Sequence, residues 1–528
     1  MQTDIRRQRP AAIIAPCFAP PERALSSPEF DVRKRRAAGR TDAYNGAMLL
    51  DAKHCYHALR THDSRFDGRF FVGVASTRIY CRPVCTVKTP KRENCRFFPS
   101  AAAAESAGFR PCLRCRPELA PGNASIDASA RLAQAAVGLI EDGLLNESRI
   151  NRLAARLGVS DRHLRRVFQT EFGVSPVAFA QTQRLLLAKR LLTDTAMRVT
   201  DVAMASGFGS LRRFNALLRT RYRLSPSELR RQASGAHPSD VLTFQLGYRP
   251  PLDWDALLSF LDRRAIEAVE HIDDARYLRT VRVEQGGKRH TGWIAAWPAR
   301  RKSVIELQLS ASLAAAVPAV LARVKRLFDL SCNPAEIALA LGPLAARCPG
   351  LRLPGAFDGF ELAVRAILGQ QITVKAARTL AGRFAAAFGE PMQTSVPSLC
   401  RLFPSAERVA ALKPSDLAEI GVIAARANAI VSLSRAVSAG GLILDPGAEA
   451  GATLDRLRSL PGIGEWTTQY IAMRALAWPD AFPHTDYGVL KALGEKDARK
   501  ALTRASAWQP WRAYAVMHLW QSLERGDR

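Results

Sequence analysis

Hydrophobic and polar positions alternate with different periods along the chain, and each change of period predicts a change of element. Between about 125 and 232 the period is helical and repeats itself at an offset of 50 residues. Ile150–Leu157 predicts a helix, Gly158-Val159 a tight turn, and Ser160 opens an amphipathic helix with Arg on its outer face. Val199–Ser206, Gly207-Phe208 and Ser210 repeat that order. Phe172-Gly-Val-Ser-Pro176 and Tyr222-Arg-Leu-Ser-Pro226 close the two copies, with Arg223 where the first copy has glycine. Past 236 the pattern alternates instead. Val241–Leu246 and Ser303–Leu309 predict strands flanking a helix over Asp255–Glu270. From about 320 the pattern is helical with short loops. The first 47 residues hold no period, and Pro10, Pro16, Pro20 and Pro21 break any regular element. They read as a disordered basic extension, with Met48 as an alternative start.

These changes predict a multidomain α+β chain. The expected segments are 1–47 (extension), 48–121 (a small α/β module), 122–235 (an all-α double unit), 236–320 (a small α+β domain) and 321–528 (all-α). Composition narrows the partners. The 528 residues carry a formal charge of +28, and every one of these segments is net basic, apart from any division of the last two. Several modules that touch one polyanion would give this distribution, as would a proteome rich in arginine. No stretch of 18 apolar residues occurs, which excludes a membrane-spanning helix. No secretion signal is evident, so the expected compartment is the bacterial cytoplasm, at the nucleoid. Ten cysteines are too few for a disulfide scaffold.

Four of those cysteines have the spacing of a metal site. Cys81-x3-Cys85 is followed after 26 residues by Cys112-x2-Cys115. Two close thiolate pairs suit one tetrahedral Zn²⁺. Cys95 lies between them without a near partner. Arg78, Arg82, Lys88, Lys91, Arg92, Arg96, Arg110, Arg114 and Arg116 surround the quartet, a shell that would bring a phosphate backbone to a sulfur. Tyr80-Cys-Arg-Pro-Val-Cys85, Arg92-Glu-Asn-Cys95 and Gly108-Phe-Arg-Pro-Cys-Leu-Arg-Cys-Arg-Pro117 resemble the N-terminal domain of the Ada adaptive-response family, over about 50–120. The resemblance implies that Cys81 accepts a methyl group from a DNA methylphosphotriester. Methylation would change the cluster's formal charge from −2 to −1 and weaken its repulsion of phosphates. A purely structural zinc site has the same ligands, so spacing alone leaves both roles open for Cys81.

The doubled helical unit resembles the paired helix-turn-helix domain of the AraC family. That resemblance implies DNA readout by Arg162, His163, Arg165 and Arg166 in the first copy, and by Arg212, Arg213 and Asn215 in the second. Some of these side chains would face phosphate or solvent instead.

Leu460-Pro-Gly-Ile-Gly-Glu-Trp-Thr-Thr468 predicts a hairpin between two helices, whose Gly462 and Gly464 expose backbone N–H groups to a phosphate. Together with Phe482-Pro-His-Thr-Asp-Tyr487, Ala366-Ile-Leu-Gly-Gln-Gln371 and Pro510-Trp-Arg-Ala-Tyr-Ala515, it resembles the 3-methyladenine-DNA glycosylase II (AlkA) family over nearly all of 240–525. The resemblance implies a TBP-like α+β domain followed by a helix-hairpin-helix glycosylase domain. It makes Asp486 the catalytic carboxylate and Trp466, Tyr470 and Trp520 the pocket aromatics for a flipped, alkylated purine. The plain alternatives are a helix cap for Asp486 and core packing for the rings. Gln371 stands where the family often places a leucine wedge. Trp466 stands where strand-cutting relatives carry lysine, so no lyase step is expected. Beyond 348 only Cys400 remains, so no iron–sulfur cluster is expected. Cys332, Cys348 and Cys400 read as core thiols.

Two function classes follow. One is a monofunctional alkylbase glycosylase fused to a zinc-dependent methyl sensor and transcription activator. The other is a regulator whose glycosylase fold only binds DNA. Either way the expected partners are double-stranded and alkylated DNA and RNA polymerase, with the chain a monomer.

Overall fold

The computed structural model describes residues 51–121, 128–147, 149–231, 240–285, 287–448 and 450–524, and the expected extension over 1–47 lies outside them. Capping side chains set where the described helices begin. Ser100, Ser160, Ser175 and Ser210 each accept a hydrogen bond from the backbone N–H three residues on, which satisfies one of the orphan donors of a first turn.

The first module is a four-stranded sheet in the order Cys95–Phe98, Phe71–Val74, Ile79–Cys81, Arg110–Pro111. The last pair is parallel and the others antiparallel. Helices Ala52–Arg60 and Ala101–Ser106 cover it. The two helix-turn-helix units follow as expected. Ile150–Arg156 precedes Asp161–Phe172, Val199–Ala205 precedes Leu211–Tyr222, and the helix Pro176–Asp194 joins them. Gly173 ends the first long helix at φ +70° and Arg223 ends the second at φ +56°, so an arginine makes the same left-handed turn. That conformation costs a residue with a Cβ about 1 kcal/mol.

A five-stranded antiparallel sheet follows, in the order Val241–Gly247, Val304–Ser310, Lys288–Pro298, Arg276–Gln285, Glu270–Asp273. The helix expected over Asp255–Glu270 is shorter, Trp254–Asp262. Glu270 supplies the reason. Its carboxylate accepts the Ile266 N–H at 3.1 Å and pairs with Arg365 at 2.8 Å, a buried cluster that a continued helix would not reach. The remaining region is helical, apart from the short ladder Glu390–Pro391 with Arg401–Leu402.

One apolar core runs from Phe214 and Leu218 through Phe244 and Ile305 to Met517 and Leu519, so the second helix-turn-helix unit, the sheet and the C-terminal helix share it. The first unit meets the helical region through ion pairs: Arg326 with Asp142 at 3.0 Å, Lys325 with Glu141 at 3.3 Å and Arg156 with Asp445 at 2.7 Å. Cys332 and Cys348 are buried as expected, whereas Cys400 is exposed. It sits between the two strands of the short ladder, where its N–H donates to the Ala268 carbonyl and its side chain is left outside.

Candidate functional site

Two clusters of side chains among the described residues are candidates for chemistry. In the first, one sulfur from each of Cys81, Cys85, Cys112 and Cys115 lies within 4.8 Å of every other. Cys81 ends a strand, and the Cys112 N–H donates to the Tyr80 carbonyl at 3.0 Å, so sheet pairing brings the two cysteine pairs together. Hydrogen bonding to Cys112 pushes the Cys81 thiol up, while hydrogen bonds from Cys115 and Cys81 hold Cys112 down. Thiols this crowded cannot all ionise without a cation, and four sulfurs at this separation fit a tetrahedral Zn²⁺. Cys95 faces elsewhere, against Cys55, Phe70 and Val72.

The expected basic shell divides. Arg78, Lys88, Lys91, Arg92, Arg96 and Arg114 are exposed. Arg82 is instead buried and donates to Asp67 at 2.8 Å and to the Cys115 carbonyl at 3.1 Å. Arg116 pairs with Asp194 at 2.6 Å. These two hold the module rather than face a backbone.

On the helix-turn-helix units, Arg162, Arg165, Arg166, Arg212 and Arg213 are exposed, with His163 and Asn215 partly so. Arg165 pairs with Asp161 at 3.0 Å, and Arg166 shares a hydrogen bond with His163 at 3.1 Å. Arg149, Arg184 and Arg213 rim a groove of about 410 Å³ between the two units.

The second centre is a cavity of about 420 Å³ lined by Trp466, Tyr470, Asp486 and Trp520. Asp486 caps the helix Tyr487–Leu493, where its Oδ1 accepts the Val489 N–H at 2.9 Å. The Trp520 Nε1–H donates to the same oxygen at 2.9 Å and the Trp466 Nε1–H to Oδ2 at 2.8 Å. So the carboxylate is both a helix cap and the centre of the pocket. Gly488 permits the Trp520 contact, because a Cβ there would stand 3.1 Å from both Asp486 Oδ1 and the Trp520 ring. Trp466 and Tyr470 stack with centroids 5.3 Å apart, and Phe260 stacks on Trp520 at 6.2 Å.

Some pocket residues are absent from the sequence expectations. Arg264 lies 3.7 Å over the Phe260 ring, and the Arg474 Nη1–H donates to the Tyr470 hydroxyl at 2.8 Å. Burial among other groups lowers Arg264 to about 10. Arg264 stands far in sequence from Trp466, Tyr470, Asp486 and Trp520, so no local pattern announces it.

Gly462 holds φ +79° in the exposed hairpin, and Gly464 caps the helix Glu465–Arg474. Beside the hairpin, the Gln370 Nε2–H donates to the Gly462 carbonyl and to Thr467 Oγ1, both at 2.9 Å, and Arg426 donates to the Gln370 carbonyl. Gln371 stands next to this clamp at φ +55°, exposed at the tip between helices Gly359–Leu368 and Val374–Phe388.

A thiolate quartet, a doubled helix-turn-helix and a hairpin-flanked carboxylate pocket on one chain define a DNA-repair protein joined to a transcription regulator. Four family profiles match in that order: the metal binding domain of Ada over 54–118, a helix-turn-helix domain over 153–232, the AlkA N-terminal domain over 243–358, and the HhH-GPD superfamily of base excision DNA repair proteins over 364–512. The chain is 38% identical over 494 residues to the "probable bifunctional transcriptional activator/DNA repair enzyme AlkA" of Mycobacterium tuberculosis, covering 90% of this chain and 97% of the relative. It therefore belongs to that family of bifunctional activator and repair proteins. It is also 36% identical to the DNA-3-methyladenine glycosylase 2 of Escherichia coli, over 52% of this chain and 96% of that one. The E. coli "bifunctional transcriptional activator/DNA repair enzyme Ada" is 34% identical over 31% of this chain and 44% of its own.

Proposed function

We propose that the chain excises alkylated purines from DNA without cutting the strand, and that it couples this to a methyl-accepting zinc module and a transcription-activating DNA-binding domain. The observation that carries the glycosylase reading is Asp486, held by three donors among aromatic rings in a cavity of about 420 Å³. Alkylation at N3 or N7 makes the base cationic, so the C1′–N bond breaks with its electron pair passing to the base. Positive charge grows on the sugar, and a carboxylate fixed beside it stabilises that charge at no cost in reorganisation. Water then supplies the oxygen at C1′. Trp466, Tyr470 and Trp520 stack the flipped base, Gln371 fills the gap it leaves, and Gly462 and Gly464 offer backbone N–H groups to a phosphate.

Cys81 is the methyl acceptor. Its sulfur attacks the methyl carbon, the S–C bond forms, the C–O bond of the triester breaks, and the phosphodiester oxyanion leaves. The product is a thioether, so each chain reacts once. Cys81, Cys85, Cys112 and Cys115 would hold Zn²⁺, and the bound ion would keep their sulfurs as thiolates at neutral pH. Arg162, His163, Arg165 and Arg166 with Arg212 and Arg213 read and grip duplex DNA, and RNA polymerase is the partner in activation. The protein acts as a monomer in the bacterial cytoplasm.

Base release from methylated duplex DNA tests the enzyme. Wild type should release methylpurines and leave strands intact on a gel, and Asp486→Asn should lose at least about 10²-fold in rate. Folded, DNA-binding wild type that releases no base would leave only the regulator.

A further inference from the structure

The six-residue helix Ala101–Ser106 of the thiolate module touches the C-terminal ends of both long helix-turn-helix helices. At its start, Ser100 Oγ–H donates to the Phe172 carbonyl at 2.7 Å, where the first of them ends. Gly173, the next residue, lies against Pro99 and Ala103. At its other end, the Arg221 Nη1–H donates to the Glu105 carbonyl at 2.8 Å, from the last turn of the second.

The Glu105 side chain fixes this helix in place. The Tyr80 hydroxyl donates to Oε1 at 3.1 Å and the Thr182 hydroxyl to Oε2 at 3.0 Å. Tyr80 is the neighbour of Cys81, and Thr182 lies in the helix that joins the two units. Glu105 is 2% exposed and Tyr80 fully buried. A second leg runs nearby, where Lys189 Nζ bonds Glu118 at 2.8 Å. A carboxylate taken out of water is costly unless its partners are fixed. This one is retained where three elements meet, and burial pushes its carboxyl up to about 7.

We propose that Ala101–Ser106 is a spacer that sets the separation of the two recognition helices, with Glu105 as its positioning residue. The thiolate module then determines which distance between half-sites the chain accepts. Two helices that enter successive major grooves must match the helical repeat of the duplex, so a rigid spacer makes affinity depend steeply on that distance. A joint made by one linker helix alone would let the units adjust.

The inference rests on the reading of both units as DNA-binding. The test uses the full-length, zinc-loaded chain and a duplex selected by wild type from a random pool. Insertion of two base pairs between the selected half-sites should weaken wild-type binding at least tenfold. Glu105→Ala should reduce that loss to less than threefold, Glu105→Gln should restore it, and Arg221→Ala, at a partly exposed position, which removes the hydrogen bond to the Glu105 carbonyl, should reduce it by half or more on a logarithmic scale. Base release and methyl uptake by Cys81 in all three variants should match wild type, which neither a general loss of folding nor a collapse of the thiolate module would allow. Glu105→Ala or Arg221→Ala that keeps the full tenfold loss overturns the spacer. Selected duplexes that wild type binds equally at both spacings overturn it too, and selection of no duplex at all overturns the DNA-binding reading with it.

Discussion

The two candidate centres are built on different scales. The thiolate cluster comes from 35 consecutive residues, Cys81 to Cys115, and its geometry follows from one pairing of short strands. The pocket around Asp486 gathers side chains from Phe260 to Trp520, carried by helices that share the protein's main core. A centre of the first kind gains its order from the metal it binds. A centre of the second kind gains it from packing already present. The cluster should therefore fail all at once when its ion is removed, and the pocket should degrade in steps as individual contacts go.

Metal removal makes the sharpest separation. Structural zinc supplies about 10 kcal/mol or more of folding free energy to small modules. Chelation of the zinc-loaded chain, or Cys112→Ser, should abolish methyl uptake by Cys81 and selective duplex binding. Base release should stay within about threefold, as gel and base-release assays on one preparation would show. A parallel collapse of base release would break the comparison and make the cluster part of the glycosylase's own foundation.

This difference in scale also explains what the sequence made legible. Cys81, Cys85, Cys112 and Cys115 were readable because ligand spacing is local. Asp486 was readable through its neighbours in Phe482-Pro-His-Thr-Asp-Tyr487, and the repeat at 50 residues placed both helix-turn-helix units correctly. Arg264 was not readable, since only the fold brings it to the aromatic wall, whereas Arg474 stands four residues after Tyr470 on one helix, a local spacing that could have found it. Arg82 and Arg116 looked like phosphate ligands by composition, yet their partners Asp67 and Asp194 lie 15 and 78 residues away in sequence. The expected helix over Asp255–Glu270 failed for the same reason, because a distant arginine, Arg365, claims Glu270.

Acid should act on the pocket side through His518, two residues before Trp520. It is 5% exposed, its Nδ1 has no hydrogen-bond partner, and burial lowers it from 6.5 to about 4. The folded chain therefore takes up this proton only near pH 4, whereas the unfolded chain takes it up near 6.5. Stability from the neutral imidazole is fully present above about pH 6.5 and is lost as pH falls toward 4, by up to about 3 kcal/mol. His518→Gln does not titrate, so the stability gap between wild type and variant should narrow or reverse over this window in denaturant titrations. A gap that stays constant from pH 7.5 to 4 would show that His518 is not held neutral.

The smallest effect bears most directly on stepwise degradation. Trp520→Phe keeps an aromatic ring beside Phe260 and removes only the donor to Asp486 Oδ1. That oxygen still accepts the Val489 N–H, and Trp466 still holds Oδ2. A hydrogen bond to a charged group contributes about 1.5 kcal/mol, so base release should slow about tenfold with little change in affinity for the damaged duplex. Trp466→Phe should cost a similar factor, and the double variant should lose about the product of the two, because Val489 alone still fixes the carboxylate at the helix start. A double variant that loses far more than that product, well beyond about 10²-fold, would mean that the tryptophans act as a unit, and the pocket, like the cluster, would then fail all at once.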